Sequence, residues 1–420
     1  MPWRTRRDLT REEQWAYGPI DMPFLMLTLL LLGIGLVMLF SASSYTASME
    51  AQSNYDAAYY FKRQAIFAAL GLVGMYIVSK INYQQLRWLG AIALAISIVL
   101  LVIVLIPIPH VSISVNNARR WLNLGVTTFQ PSEIAKIGVV MYFSSRLSKR
   151  HLEQQRKLAQ QKGMPLRRRK PANGLERVVF AVQAIGEKVG LWELIPYIAV
   201  LGIIALLLIQ EPHLSATLLV FAAGAAILFT AGVHWGWFVA GAGVLAAAFW
   251  VLIGVLGYNS GRIAIWLDPW SDPGDTGYQI IQSLYAVASG GLSGLGFGMS
   301  RQKYLYLPEE QNDFIFAVVC EELGFIGATL IVLLFALLVL RGYWLALHAR
   351  DRFGSLLVVG ITTLLATQVF LNIAVVTNLI PTTGISLPFF SYGGTALCIQ
   401  LAEIGVVLSV SRQIPAPKQG

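Results

Sequence analysis

The sequence is poor in charge: only 13% of its 420 residues are Asp, Glu, Lys or Arg, while 56% are hydrophobic. A soluble domain averages about 25% charged residues, so a water-surrounded globule is excluded and a polytopic membrane protein is expected. Cysteine is almost absent. The two present, Cys320 and Cys398, sit inside apolar segments, which rules out a disulfide framework. Histidine is scarce as well, and His110, His151, His213, His234 and His348 show no metal-ligand spacing. The first twenty residues carry Arg4, Arg6, Arg7 and Arg11 with no apolar stretch or small-residue cleavage site, so no signal peptide is expected. No repeat of solenoid period occurs.

What is abundant is apolar runs of spanning length, roughly 20 residues each. Ten stand out: about 22–42, 64–80, 88–107, 131–145, 195–210, 214–233, 236–256, 314–340, 355–377 and 390–410. With the N-terminus inside and strict alternation, twenty-three of the 31 Lys and Arg fall in inner segments. That is the positive-inside pattern, and it puts both termini in the cytoplasm. The fold expected is all-α, with a tail 1–21, one transmembrane domain 22–411 and a tail 412–420. The net charge of +9 belongs to inner loops and gives no reason to expect nucleic acid. Seven outer cations then need explaining: Lys62, Arg63, Arg119, Arg120, Arg262, Arg301 and Lys303.

The inner loop 146–194 holds Arg167, Arg168, Arg169 and Lys170, then an amphipathic stretch over 175–188. A basic linker followed by a helix lying on anionic lipid is expected, with a partner-binding role as the alternative. The outer loop 108–130 carries Arg119, Arg120 and Trp121, either an interfacial anchor or a guanidinium fork for phosphate. Pro131 suits the first helical turn. Glu133 and Lys136 share a helix face, as a self-neutralised pair or as a charged cavity lining. Glu211, Pro212 and His213 read as a solvated outer turn.

The outer loop 257–312 is the longest on that side. Its glycines, Gly290 to Gly298, resemble a nucleotide loop only superficially, since no βαβ unit surrounds them. Residues 278–289 suit an amphipathic or re-entrant helix. The loop ends in Arg301, Lys303, Leu307, Pro308, Glu309, Glu310, Asn312 and Asp313, directly before the apolar run Phe314, Ile315, Phe316, Ala317. Asn or Asp in that position predicts a helix N-cap, which would hold a carboxylate rigidly. Glu321 and Glu322 follow on the same helix and are expected in internal pairs or a polar seam. Pro381, Gly384, Pro388, Gly393 and Gly394 interrupt the apolar region near the C-terminus, as backbone lining a cavity would.

Four of these segments together resemble the SEDS family of shape, elongation, division and sporulation proteins. They are Arg120-Trp121 with Gln130, Pro131, Ser132, Glu133 and Lys136; Gly277, Tyr278, Gln279 with Gln282 and Ser283; Leu307, Pro308, Glu309 with Asp313 to Ala317; and Pro381, Gly384, Pro388 with Ser391 to Gly394. The match covers nearly the whole chain and lies closer to the FtsW/SpoVE branch than to RodA. The resemblance implies ten transmembrane helices in the bacterial cytoplasmic membrane and a glycosyltransferase that polymerises lipid II. It implies a class B penicillin-binding protein as partner, among other divisome or elongasome proteins. It makes Asp313 the general base, and Arg119, Arg120, Lys136, Glu133, Lys303, Glu309, Gln279, Gln282 and Ser391 the substrate-binding set. Arg301 joins the outer cations available to the departing diphosphate. A divalent cation, magnesium or manganese, is an expected helper, and no organic cofactor is expected. Thr383 stands where many FtsW proteins have Lys, and Gln311 where His is commoner, which argues against a histidine relay there. A lipid II flippase and a division scaffold are the rival readings.

Overall fold

The computed structural model describes residues 18–106, 112–115, 118–123, 125, 127–161, 191–251, 257, 260–275 and 277–414. The basic cluster 167–170 and the amphipathic stretch 175–188 lie outside them. Among the described residues the chain forms α1 (Met22–Met49), α2 (Tyr59–Lys80), α3 (Leu86–Leu105), α4 (Pro131–Gln161), α5 (Leu191–Gln210) and α6 (Leu214–Thr230). It continues with α7 (Gly236–Trp250), two short helices α8 (Ser260–Leu267) and α9 (Tyr278–Ser289), then α10 (Ile315–His348), α11 (Arg352–Val376) and α12 (Gly394–Ser411).

Among the described residues six helical segments are long and apolar enough to cross a membrane: α1, α2, Tyr83–Leu105, α10, α11 and α12. Leu194–Gln210, Leu214–Thr230 and Gly236–Ala247 are shorter apolar helices. Outward-facing positions carry Leu70, Leu330 and Leu347, the last 75% exposed, as suits side chains meeting lipid rather than water. The centre is α11, whose residues from Phe353 to Leu365 are all buried, against α6, α10 and α4.

Every apolar run expected from sequence contains a helix, but the ends differ. α4 begins at Pro131 as expected and runs on to Gln161, because Arg146 to Lys157 end an apolar window without ending a helix. The all-α expectation misses a small antiparallel sheet, β1 (Ser112–Val115), β2 (Ala118–Asn123) and β3 (Thr128–Phe129), in the order β1-β2-β3. Short strands broken by a bulge leave no long alternating pattern to read.

One helix is deliberately broken. Gly324 in α10 has φ 66° and ψ −171°, a conformation glycine adopts freely. The break frees the carbonyls of Glu321 and Glu322, which accept from the amides of Leu295 and Gly296 at 3.0 Å each. In return Phe325 and Ile326 donate to the carbonyls of Gly291 and Leu292 at 2.8 and 3.1 Å. A Cβ at Gly294 or Gly324 would collide with backbone at 2.1–2.2 Å. The loop that follows α9 is thereby stitched to the helix that follows Asp313.

Candidate active site

A cavity of about 1050 Å³ opens among β2, α2, α4, α6, α8, α9, α11, α12 and the loop segment that ends at Phe314, at the upper end of the range for small-ligand sites. Four helices start at its wall: α4 at Pro131, α6 at Leu214, α10 at Ile315 and α12 at Gly394. Each start is a positive dipole end, so the bowl favours anions. Arg63, Arg120, Lys136 and Arg262 add formal positive charge to its lining; Glu133, Glu309 and Asp313 add negative charge.

Asp313 does not cap α10. The cap residue is Phe314, with no side-chain hydrogen bond, and the Asp313 carboxylate turns to the cavity. Its main chain is fixed from behind: Asn372 Nδ2 donates to the Asp313 carbonyl at 2.8 Å and to the Ile385 carbonyl at 2.7 Å. Gly384, at φ +70°, passes so close that a Cβ there would touch Asp313 Oδ2 at 3.4 Å. Burial pushes the Asp313 carboxyl up to about 6. Glu309 adds to the rise, while Arg120 and Arg262 oppose it. A carboxylate poised near operating pH and largely ionised at pH 7 suits proton abstraction.

Ser391 is a brace. Its Oγ donates to the Asn312 carbonyl at 2.6 Å and accepts from the Leu387 amide at 2.7 Å, and Tyr392 N–H donates to the Gln311 carbonyl at 2.8 Å. The broken segment 381–393 therefore holds the two residues just before Asp313. Glu133 and Lys136 pair at 2.8 Å and also line the cavity, so the two readings of that pair are both true. Gln279 lines the mouth and donates to the Pro308 carbonyl at 3.2 Å.

The comparisons with known proteins bear on this arrangement. The family model described as "Cell cycle protein", covering FtsW, RodA and SpoVE, matches residues 22–415. Stage V sporulation protein E of Bacillus subtilis is 39% identical over 93% of this chain and 97% of its own. The probable peptidoglycan glycosyltransferase FtsW of Geobacter sp. strain M18 is 36% identical over 94% and 97%. The chain belongs to the FtsW/RodA/SpoVE family. A solved chain from a study of "polymerization and crosslinking by a peptidoglycan synthase complex" superposes with TM-score 0.70 at 26% identity, over 94% of this chain and 98% of that one. RodA of Thermus thermophilus shares the fold at TM-score 0.63 and 24% identity, over 95% and 98%.

On this FtsW/RodA/SpoVE fold, several residues expected in the binding set stand elsewhere. Arg119 is exposed on β2 and off the cavity wall, while Arg120 and Trp121, beside the bulge in the β1–β2 pairing, line it. Gln282 lies a turn deeper along α9 than Gln279 and does not reach the cavity. Lys303 is buried away from it. Its Nζ pairs with Glu322 at 3.2 Å and donates to the Gly298 carbonyl at 2.6 Å. Arg301 is exposed and equally absent from the lining. Arg262 was only an outer cation by sequence; here it lines the cavity, and its Nη1 donates to the Thr382 carbonyl at 3.2 Å. It brings positive charge beside Thr383, where the sequence lacks Lys.

The larger surprise is the turn after α5. Glu211 and His213, read as solvated, are 1% and 7% exposed. Arg120 donates from Nε to the Glu211 carbonyl at 3.1 Å and from Nη2 to the Pro212 carbonyl. Only the long-range packing of α6 on α4 reveals that burial.

Among the described residues no three His, Cys, Asp or Glu side chains converge to hold a metal. The donor set therefore does not fit a divalent cation held by protein alone, and no step below is routed through one.

Proposed function

We propose that this chain is a peptidoglycan glycosyltransferase that polymerises lipid II into β-1,4 glycan at the outer face of the bacterial cytoplasmic membrane, releasing undecaprenyl diphosphate. One observation carries the reading: a carboxylate tuned to about 6 shares an anion-favouring cavity with Arg120, Arg262 and Lys136. The family membership and the relatives' names support it.

The chemistry needs two things at once. The acceptor sugar 4-hydroxyl must lose a proton, and Asp313 takes it. The α-linked lipid diphosphate must leave, and developing negative charge on it is met by guanidinium, ammonium and helix dipoles set in advance. Inversion to the β-linkage needs no enzyme nucleophile. Bond making at C1 and bond breaking to the diphosphate oxygen occur on opposite faces. The reading includes ten spans with both termini in the cytoplasm, and residues 257–312 outside. It also includes a class B penicillin-binding protein as partner, in keeping with the synthase complex to which the fold is similar.

The test is purified protein in detergent with lipid II and the partner. Glycan polymer in the absence of any second leaflet or membrane potential is expected, which a flippase would not give. No polymer from the wild type sinks the reading. Normal growth of cells carrying only Asp313→Ala would instead favour a scaffold.

A further inference from the structure

Unsatisfied polar groups gather at one corner of the cavity, His213 and Ser215 in its wall and Ser132 and Glu211 just behind it. Ser132 Oγ, Ser215 Oγ, His213 Nδ1 and both carboxylate oxygens of Glu211 are buried without a hydrogen-bond partner among the described residues. The four residues are 0%, 2%, 7% and 1% exposed in that order. Each such orphan is destabilising, so a cluster of them marks a place meant for a ligand or ordered water. His213 and Ser215 line the cavity.

The corner is built from two helix starts. Ser132 is the second residue of α4 and Ser215 the second residue of α6. Gln130 and His213, the residues just before those helices, meet at 3.5 Å between Nε2 atoms. His213 makes no side-chain cap bond to α6. The corner is therefore the meeting point of two positive dipole ends. Arg120 and Lys136 both face His213, and burial with these two cations drives its imidazole down to about 3, so it is neutral. Burial pushes the Glu211 carboxyl up to about 8, which leaves it protonated and a donor at pH 7. The Ser215 hydroxyl and a neutral imidazole offer donors at the wall, and the nearby Glu133 carboxylate is already paired with Lys136 at 2.8 Å. Such a set fits clustered acceptor oxygens.

We propose that His213 and Ser215, backed by Ser132, form the diphosphate subsite of this cavity, with Arg120 and Lys136 as its cations. The subsite rests on the reading of the cavity as a site for lipid-diphosphate sugars, and it assigns that chemistry to the α4–α6 junction. Arg120 acts on both the corner and Asp313, so leaving group and base flank the space between them. An inverting displacement requires that separation.

Binding to the full-length protein in detergent tests this without turnover, by calorimetry with inorganic diphosphate, farnesyl diphosphate and the uncharged disaccharide diacetylchitobiose. Wild type is expected to bind both diphosphates. His213→Asp places an anion in the corner and weakens both by at least about tenfold, while the neutral His213→Gln stays within about threefold. Asp313→Asn leaves binding intact. Farnesyl diphosphate binding at least about tenfold tighter than inorganic diphosphate identifies a lipid-linked occupant; equal affinities identify the free ion. Should His213→Asp not fold, by its melting temperature, Ser132→Ala with Ser215→Ala is expected to cost about fivefold. Unchanged diphosphate affinity in these variants overturns the assignment, as does loss of disaccharide binding alone. A wild type that makes no glycan but binds diphosphate through His213 would fail the polymerase reading and leave the subsite standing.

Discussion

The loop between α9 and α10 sends Lys303 and Asp313 to two places, and the charges there are treated oppositely. Beneath the loop, Glu321 and Glu322 are 0% and 1% exposed and saturated. Glu321 accepts from the amides of Arg301 and Gln302 at 3.1 and 3.3 Å and from Ser300 Oγ. Glu322 accepts from Ser41 Oγ at 2.7 Å, the Ser300 amide at 3.3 Å and Lys303 Nζ at 3.2 Å. Around the cavity the opposite holds: Asp313 faces open space, and Glu211, His213, Ser132 and Ser215 keep atoms unpartnered. A saturated buried charge is architecture, since it has no capacity left for a substrate. An unsaturated one has been left for something to complete.

That contrast orders the expected effects of substitution. Asp313→Ala removes the proposed base and is expected to lower polymerisation by about 10²–10⁴-fold, with melting temperature and partner binding unchanged. Measurable glycan at near wild-type rate would place the base elsewhere. Lys303→Ala acts through the other region. Removing one member of a buried pair costs roughly 3–5 kcal/mol, so folded yield and melting temperature should fall. Activity per folded molecule should then change far less than in Asp313→Ala. Lys303→Met with Glu322→Gln, which removes both charges and keeps an acceptor for Ser41 Oγ and the Ser300 amide, is expected to recover part of the stability without affecting catalysis. If Lys303→Ala is as stable as wild type but inactive, the division into architecture and chemistry fails at this residue.

The sequence alone shows the spanning runs, because spans are set by local composition, and Asp313 emerges through its motif. It places Lys303 wrongly for a physical reason. A cation in an outer loop looks available, and only the return of α10 beneath that loop buries it against Glu322. Glu211 and His213 mislead in the reverse direction: a three-residue turn after α5 looks wet, and the packing of α4 against α6 dries it. Arg262 was an unassigned outer cation until Thr382 gave it a place. Residues whose role depends on which helix lies opposite carry little local signal.

Two gentler perturbations sharpen the same comparison. Asp313 must be ionised to accept a proton, and its carboxyl is raised to about 6. Polymerisation by wild type is therefore expected to rise with pH through about 6 and level off above 7, falling about tenfold from pH 7.5 to pH 5. Arg262→Gln removes a cation that opposes that rise, so the midpoint should move upward; a downward move would contradict the arrangement. Ser391→Ala is the smallest. It breaks the bond to the Asn312 carbonyl and leaves the Leu387 amide without its acceptor, at a cost of about 1–3 kcal/mol. Its effect should fall on kcat more than on KM, because the brace fixes the chain beside Asp313 rather than touching substrate. Ser391→Thr keeps the hydroxyl and should restore most of the rate. If Ser391→Ala instead raises KM with kcat unchanged, the hydroxyl contacts substrate and belongs to the binding set.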